Sequence, residues 1–226
     1  MNILKRIPIK YHGELHDIRL INFTVDIDEV KELVPHQIRI RDFDGRAMIS
    51  MVDVKLKNMR PAFAPKFCTF SYRHIAFRLL VEDEHLNAGS NKGIFFCKAF
   101  TNNPIMVIGG KALTEYRLEN ARIMENGDTV KVNNGKHKVE YTLSNKLCES
   151  TFFENQELRK MIGAIDRAYS TLDNNVRVTQ IQREKWPIQQ VECSSFSTNF
   201  FKSAKFIGAF RVFETIYYQW LPPKSI

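Results

Sequence analysis

The 226 residues carry 33 Lys and Arg against 25 Asp and Glu, a formal net charge of +8, with 44% hydrophobic residues and 17 Phe. That content suffices for a substantial core, no apolar run is long enough for a membrane-crossing helix, and the charged start (Lys5, Arg6, Lys10) predicts no signal peptide. Basic residues alternate with apolar ones, as in Arg39-Ile40-Arg41, which predicts solvated strand faces in place of a nucleic-acid stripe. The widely spaced Cys68, Cys97, Cys148 and Cys193 predict reduced thiols in a cytoplasmic protein.

In chain order, Tyr11 to Phe23 alternates weakly, and Asp26-Ile27-Asp28-Glu29 opens a short helix that Pro35 ends. His12 and His16 would share a helix face as a metal pair, but Gly13 and strand-like neighbours predict ordinary surface histidines. Ile38 to Leu56 reads as a hairpin about Asp44-Gly45. The loop Asn58 to Phe67, with Met59, Phe63 and Phe67, is expected to cover core; a lid over a pocket and a dimer contact are the other readings. Tyr72 to Glu82 alternates as a strand with His74 and Arg78 on one face, pocket residues if that face looks into a barrel and solvated otherwise.

Gly93 to Glu125 reads as strand, short helix, strand. Ile94, Phe95 and Phe96 form a buried strand, Asn102-Asn103-Pro104 starts the helix, and Ile105, Ile108 and Ala112 share a face. Gly109-Gly110 inside that helix costs about 1 kcal/mol per residue relative to Ala and points to close backbone approach or an early end. The ionisable Lys111, Glu115 and Arg117 follow. A second hairpin turns at Asn133-Asn134-Gly135. Beyond it Thr151 and Glu154 form a capping box, and Leu158, Met161, Ile162, Ile165, Tyr169 and Leu172 make a helical stripe. Val176–Gln182, Ile188–Phe196 and Phe210–Trp220 are strands, with Trp186-Pro187 between the first two. No repeat or linker interrupts residues 1–226, which predicts one domain.

The aromatic strand, the Asn-Pro helix start, Lys111-Ala112-Leu113 and a strand ending in Asn120-Ala121-Arg122-Ile123 together resemble the uncharacterised YqjF-like proteins of the acetoacetate decarboxylase-like superfamily. Asp42–Ala47, Val52–Pro61 and Tyr217–Pro223 extend that resemblance. It implies an α+β fold, mostly antiparallel β, with a curved sheet or barrel and a few outer helices. In the decarboxylases a lysine forms a Schiff base with a keto acid. Aligning Lys111-Ala112-Leu113 with the family segment brings the preceding turn onto Glu115-Tyr116-Arg117 and the nucleophile's place onto Leu118, with Glu119 beside it.

The lysine is therefore missing, and a small-molecule-binding barrel without Schiff-base chemistry and without a cofactor is expected. The alternatives are a lyase or hydrolase acting on a keto or enol carboxylic acid through Glu115 and Arg117, with Lys111 the nearest amine, and an interaction protein meeting an acidic partner. Arg78, His74 and Tyr116 are the candidate ligand-binding residues, and no metal site is expected. A small molecule is the expected partner, nucleic acid and membrane are not, and a homo-oligomer is left open.

Overall fold

The structure is a computed structural model that describes residues 7–83, 91–113, 118–147, 152–163, 165–173 and 175–225. Its elements are β1 (Tyr11–Val25), α1 (Ile27–Val30) with a 3-10 turn, β2 (Arg39–Ile40), β3 (Asp42–Phe43), β4 (Arg46–Pro61), β5 (Phe70–Asp83) and β6 (Asn91–Thr101). There follow α2 (Pro104–Leu113), β7 (Leu118–Asn120), β8 (Arg122–Asn126), β9 (Thr129–Asn133), β10 (Lys138–Leu147) and α3 (Phe152–Gly163). The chain ends with β11 (Arg167–Leu172), β12 (Asn175–Arg183), β13 (Gln189–Thr198), β14 (Lys205–Val212), β15 (Ile216–Trp220) and β16 (Lys224–Ser225).

Seven strands close a barrel in the order β1, β4, β5, β6, β11, β12, β15 and back to β1. Pairing is antiparallel except where β6 meets β7 and β11. Strand β1 serves two layers. Its first half pairs with β15, its second half leaves the barrel to pair with β14, and β4 runs along its other edge throughout. From β14 the sheet continues through β13, β10, β9 and β8.

This continuation covers the outer face of the barrel. Ile49, Met51, Ile75 and Phe77 point out of the barrel to meet Val130, Val132, Val139 and Tyr141 in one core, while Val52, Val54, Ala76 and Leu80 point inward to a second core with Leu158 and Ile162 of α3. Both faces of β1, β4 and β5 are thus largely buried, which is why alternation in β1 is weak: a strand with two apolar faces reads as a nearly continuous apolar run. At the centre of the outer core Phe77 stacks on Phe200 with ring centroids 5.0 Å apart.

Charge holds the two layers as well. Asp53 of β4 is gripped by Arg73 of β5 and accepts a hydrogen bond from the Tyr141 hydroxyl of β10; Glu125 of β8 accepts from Arg73 at 2.9 Å and from Arg19. Asp17, at a bulge of β1, accepts from Arg19, Lys55 and Arg211. Every acid in this seam is paired, so it reads as a clamp between layers.

Several sequence expectations meet their structure here. Asp44 and Gly45 both take positive φ, 50° and 77°, and turn β3 into β4 as a two-residue hairpin. The first arm is shorter than expected, because β2 pairs with β5 and not with β4. Pro104 opens α2, and the Asn103 side chain accepts the Ile105 N–H at 3.0 Å. Ile105 and Ile108 of α2 are 64% and 72% exposed, so these two side chains are not packed against the sheet.

The long helix is a correction: α3 stops at Gly163, and Tyr169 and Leu172 belong to β11. The recurrence at three and four residues continued by coincidence into a strand whose Ala168 and Tyr169 serve the inner and outer cores in turn. Thr151 lies outside the described residues. The loop after β4 is the other correction, since Phe63 and Phe67 are 78% and 86% exposed and cover no core. His16 sits on a strand, hydrogen-bonded to Glu14. Among the described residues no helix is long and apolar enough to cross a membrane, and Cys68, Cys97 and Cys193 are free thiols.

Candidate functional site

The barrel encloses a cavity of about 300 Å³. Its lining follows from strand period: Tyr72, His74 and Arg78 occupy the inward positions of β5, opposite Thr179, Ile181 and Arg183 of β12. Val52, Val54, Leu56, Ile94 and Phe96 supply apolar wall. Met106, Gly109 and Gly110 of α2 also line the cavity, as do Met59 and Phe70 where β4 finishes and β5 begins. The two glycines let the helix backbone itself line the cavity, which accounts for their unfavourable place inside α2.

Three arginines, Arg60, Arg78 and Arg183, line the cavity. Arg78 is 6% exposed; its Nε donates to the Ser50 carbonyl at 3.0 Å and one terminal nitrogen, Nη2, to Ser50 Oγ at 2.8 Å. The other, Nη1, has no acceptor among the described residues. Arg183 donates to the Gly163, Ile165 and Glu184 carbonyls and lies over the Trp186 ring, 4.3 Å from its centroid; Arg78 approaches the same ring at 5.8 Å. The Trp186 indole N–H and the Tyr11 hydroxyl, both of cavity-lining residues, are buried with no hydrogen-bond partner among the described residues.

Burial, then the proximity of Arg183, lowers the Arg78 pKa to about 9, and burial lowers that of Arg183 to about 10, so both stay cationic at neutral pH. Burial, then Arg78, pushes His74 down to about 4, leaving a neutral imidazole with no hydrogen-bond partner among the described residues. Burial raises the Tyr72 phenol, which stays neutral. Among the described residues the cavity has no Asp, Glu or Lys, and no group of three metal-ligating side chains exists. Apolar walls around uncompensated positive charge favour an anion with an apolar body.

His74 and Arg78 thus face into the barrel. Leu118, which the sequence alignment set against the Schiff-base nucleophile, is 6% exposed and lines the cavity. Glu119 points elsewhere, to Lys98 and Asn134. Glu115, Tyr116 and Arg117 lie outside the described residues, as does the side chain of Lys111. Sequence reasoning missed Arg183, Trp186, Tyr11 and Tyr72. An arginine at an inward strand position and a tryptophan after the strand's end carry no signal until the barrel is closed.

The family model of the uncharacterized conserved protein DUF2071 matches residues 12–217. The chain belongs to this family. It is similar to the uncharacterized protein YqjF of Bacillus subtilis (strain 168), 22% identical over 183 residues that cover 78% of this chain and 74% of YqjF. Among solved structures it is similar to an acetoacetate decarboxylase-like enzyme from Sphingomonas wittichii RW1, with a TM-score of 0.63 and 10% identity over 99% of this chain and 94% of that one. It is equally similar, with a TM-score of 0.63 and 10% identity over 96% and 89%, to the enduracididine biosynthesis enzyme MppR complexed with the condensation product of pyruvate and imidazole 4-carboxaldehyde. At such identities the likeness establishes an acetoacetate decarboxylase-like fold for this DUF2071 member and leaves chemistry to its own residues.

Proposed function

We propose that this DUF2071 protein binds a small monocarboxylate with an apolar body, non-covalently, inside the barrel. The observation that carries the reading is a cavity of about 300 Å³ holding Arg78 and Arg183 with no acid and no lysine among its described lining residues. A carboxylate accepts from the unspent Nη1 of Arg78, and its apolar body packs on Val52, Val54 and Phe96. Burial of that body supplies affinity, and the charge-assisted hydrogen bond supplies orientation. MppR, with the same fold, is complexed with a pyruvate-derived product, which supports a small acid as the ligand class. An enzymatic version would need Glu115 or Arg117, outside the described residues, so binding is the reading the described geometry favours.

Both tryptophans, Trp186 and Trp220, line the cavity and report occupancy by fluorescence. Titration with benzoate, octanoate and acetoacetate, each beside a neutral alcohol of similar size, should show saturable quenching by acids and weaker binding of alcohols. Arg78→Gln should lose about tenfold or more in affinity, since a hydrogen bond to a charged group is worth about 1.5–3 kcal/mol. Equal binding of acids and alcohols, or an unaffected Arg78→Gln, would sink the reading.

A further inference from the structure

The four most exposed large apolar side chains among the described residues are Phe67, Phe63, Ile108 and Ile105, at 86%, 78%, 72% and 64%. All four stand at one end of the barrel. The loop bearing Phe63 and Phe67 joins β4 to β5, whose Met59 and Phe70 are paired, and α2 follows the end of β6, where Thr101 is paired with His74. Ile7 and Phe70, 45% and 43% exposed, belong to the same rim. The cavity opens among these residues, since Ile7, Met59, Phe70 and Ile105 line it.

The segments that carry these side chains hold charge of one sign, while Asp173, in the turn from β11 to β12, stands at the same end outside them. Segments 7–12, 59–70 and 102–113 contain no Asp or Glu but include Lys10, Arg60 and Lys66. Arg60 is partly spent on stapling the loop, donating to the Ala64 carbonyl at 2.9 Å, whereas Lys66 is exposed. The nearest acid down β1, Glu14, is already held by His16 and Asn58, each at 2.9 Å.

We propose that this rim docks on the surface of an anionic lipid bilayer, with Phe63, Phe67, Ile105 and Ile108 entering the interface and Lys10, Arg60 and Lys66 facing the headgroups. Aromatic and aliphatic side chains beside basic ones, on segments that carry no acid of their own, form the pattern that partitions into such an interface, and the protein's net charge of +8 adds long-range attraction. A bilayer also suits the opening: an apolar acid dissolved in lipid enters the cavity without crossing water. The expectation of no membrane partner rested on the lack of a crossing segment, and surface docking needs none. The docking stands on the rim and does not depend on which anion the cavity takes.

Flotation of the full chain with vesicles tests it. Vesicles of phosphatidylcholine mixed with phosphatidylglycerol should carry the protein up, pure phosphatidylcholine vesicles much less, and high salt should release it. The double variant Phe63→Ser with Phe67→Ser should lower partitioning about tenfold or more, because burying one Phe is worth at least a tenfold step. Lys66→Glu should lower it too. Circular dichroism and urea midpoints of these variants should match wild type, since the altered side chains are exposed. Arg78→Gln should float normally while losing its acid ligand, which separates this inference from the cavity reading. No flotation with anionic vesicles, or flotation indifferent to the double variant, overturns the proposal. So does a dimer in sedimentation velocity that the double variant dissociates, because a second copy would then cover the rim.

Discussion

Arg73 grips Asp53 through two parallel hydrogen bonds, Nε to Oδ1 at 2.8 Å and Nη2 to Oδ2 at 2.6 Å, and Asp53 is 1% exposed. Replacing the pair by apolar residues of like volume would cost little, but removing one partner leaves an unpaired charge at the junction of the layers. Arg73→Met should therefore destabilise the fold by about 3–5 kcal/mol in urea unfolding. Tyr141→Phe, which removes only a hydroxyl donor from Asp53, should cost roughly 1–3 kcal/mol. A loss below 1 kcal/mol for Arg73→Met would show that the seam does not join the layers.

Acid should weaken the same seam. Burial raises the Asp17 carboxyl, but Lys55 and Arg19 outweigh it and hold the group well below the usual carboxylate range. A depressed carboxylate stabilises the fold above its unfolded pKa, near 3.9, and that contribution fades as pH falls further.

His74 titrates higher. Its folded pKa of about 4 lies below the unfolded value near 6.5, so in between the unfolded chain binds a proton that the folded one refuses. The contribution of the neutral imidazole is complete above about pH 6.5 and lost as pH falls toward 4, a change of roughly 3 kcal/mol. Urea unfolding from pH 7 to pH 4 should show a steeper decline in wild type than in His74→Gln. Parallel stability curves for the two proteins would place His74 outside the dry cavity.

Gly93 offers a packing test. A Cβ there would stand 2.5 Å from a Tyr169 ring carbon and 3.0 Å from the Arg167 carbonyl oxygen. Gly93→Ala should destabilise by about 1–3 kcal/mol, because β11 must shift away from β6. An unchanged thermal midpoint would mean that Tyr169 and the β11 backbone yield freely.

These residues also show what was legible. The turns at Asp44-Gly45 and Asn134-Gly135 and the start of α2 at Pro104 carry local chemistry, and the structure has them where sequence puts them. Asn126-Gly127-Asp128, which turns β8 into β9, carries the same local signal. The barrel's closure, β1 against both β4 and β15, is written in no local pattern, and from it alone follows that His74 and Arg78 look inward while Arg73, one residue away, looks outward to Asp53. Arg183 and Trp186 became site residues only through a pairing with β15. The helix extended to Leu172 failed because a helical period over six residues does not distinguish itself from alternation.

Leu118 gives the last test. It stands in the cavity with Arg78 and Arg183, where the sequence resemblance to the decarboxylases aligns it with their Schiff-base lysine. Leu118→Lys would put an amine among apolar walls and two cations, and both influences lower a lysine's pKa. Wild type treated with pyruvate or acetoacetate and then borohydride should show no stoichiometric adduct by intact mass, whereas Leu118→Lys should gain one, mapped to its tryptic peptide. The double variant Leu118→Lys with Arg78→Gln should be trapped less, because the acid loses its anchor. An adduct in wild type at Lys111 would replace non-covalent binding with Schiff-base chemistry. An inert but folded Leu118→Lys would show that small keto acids do not reach this part of the barrel.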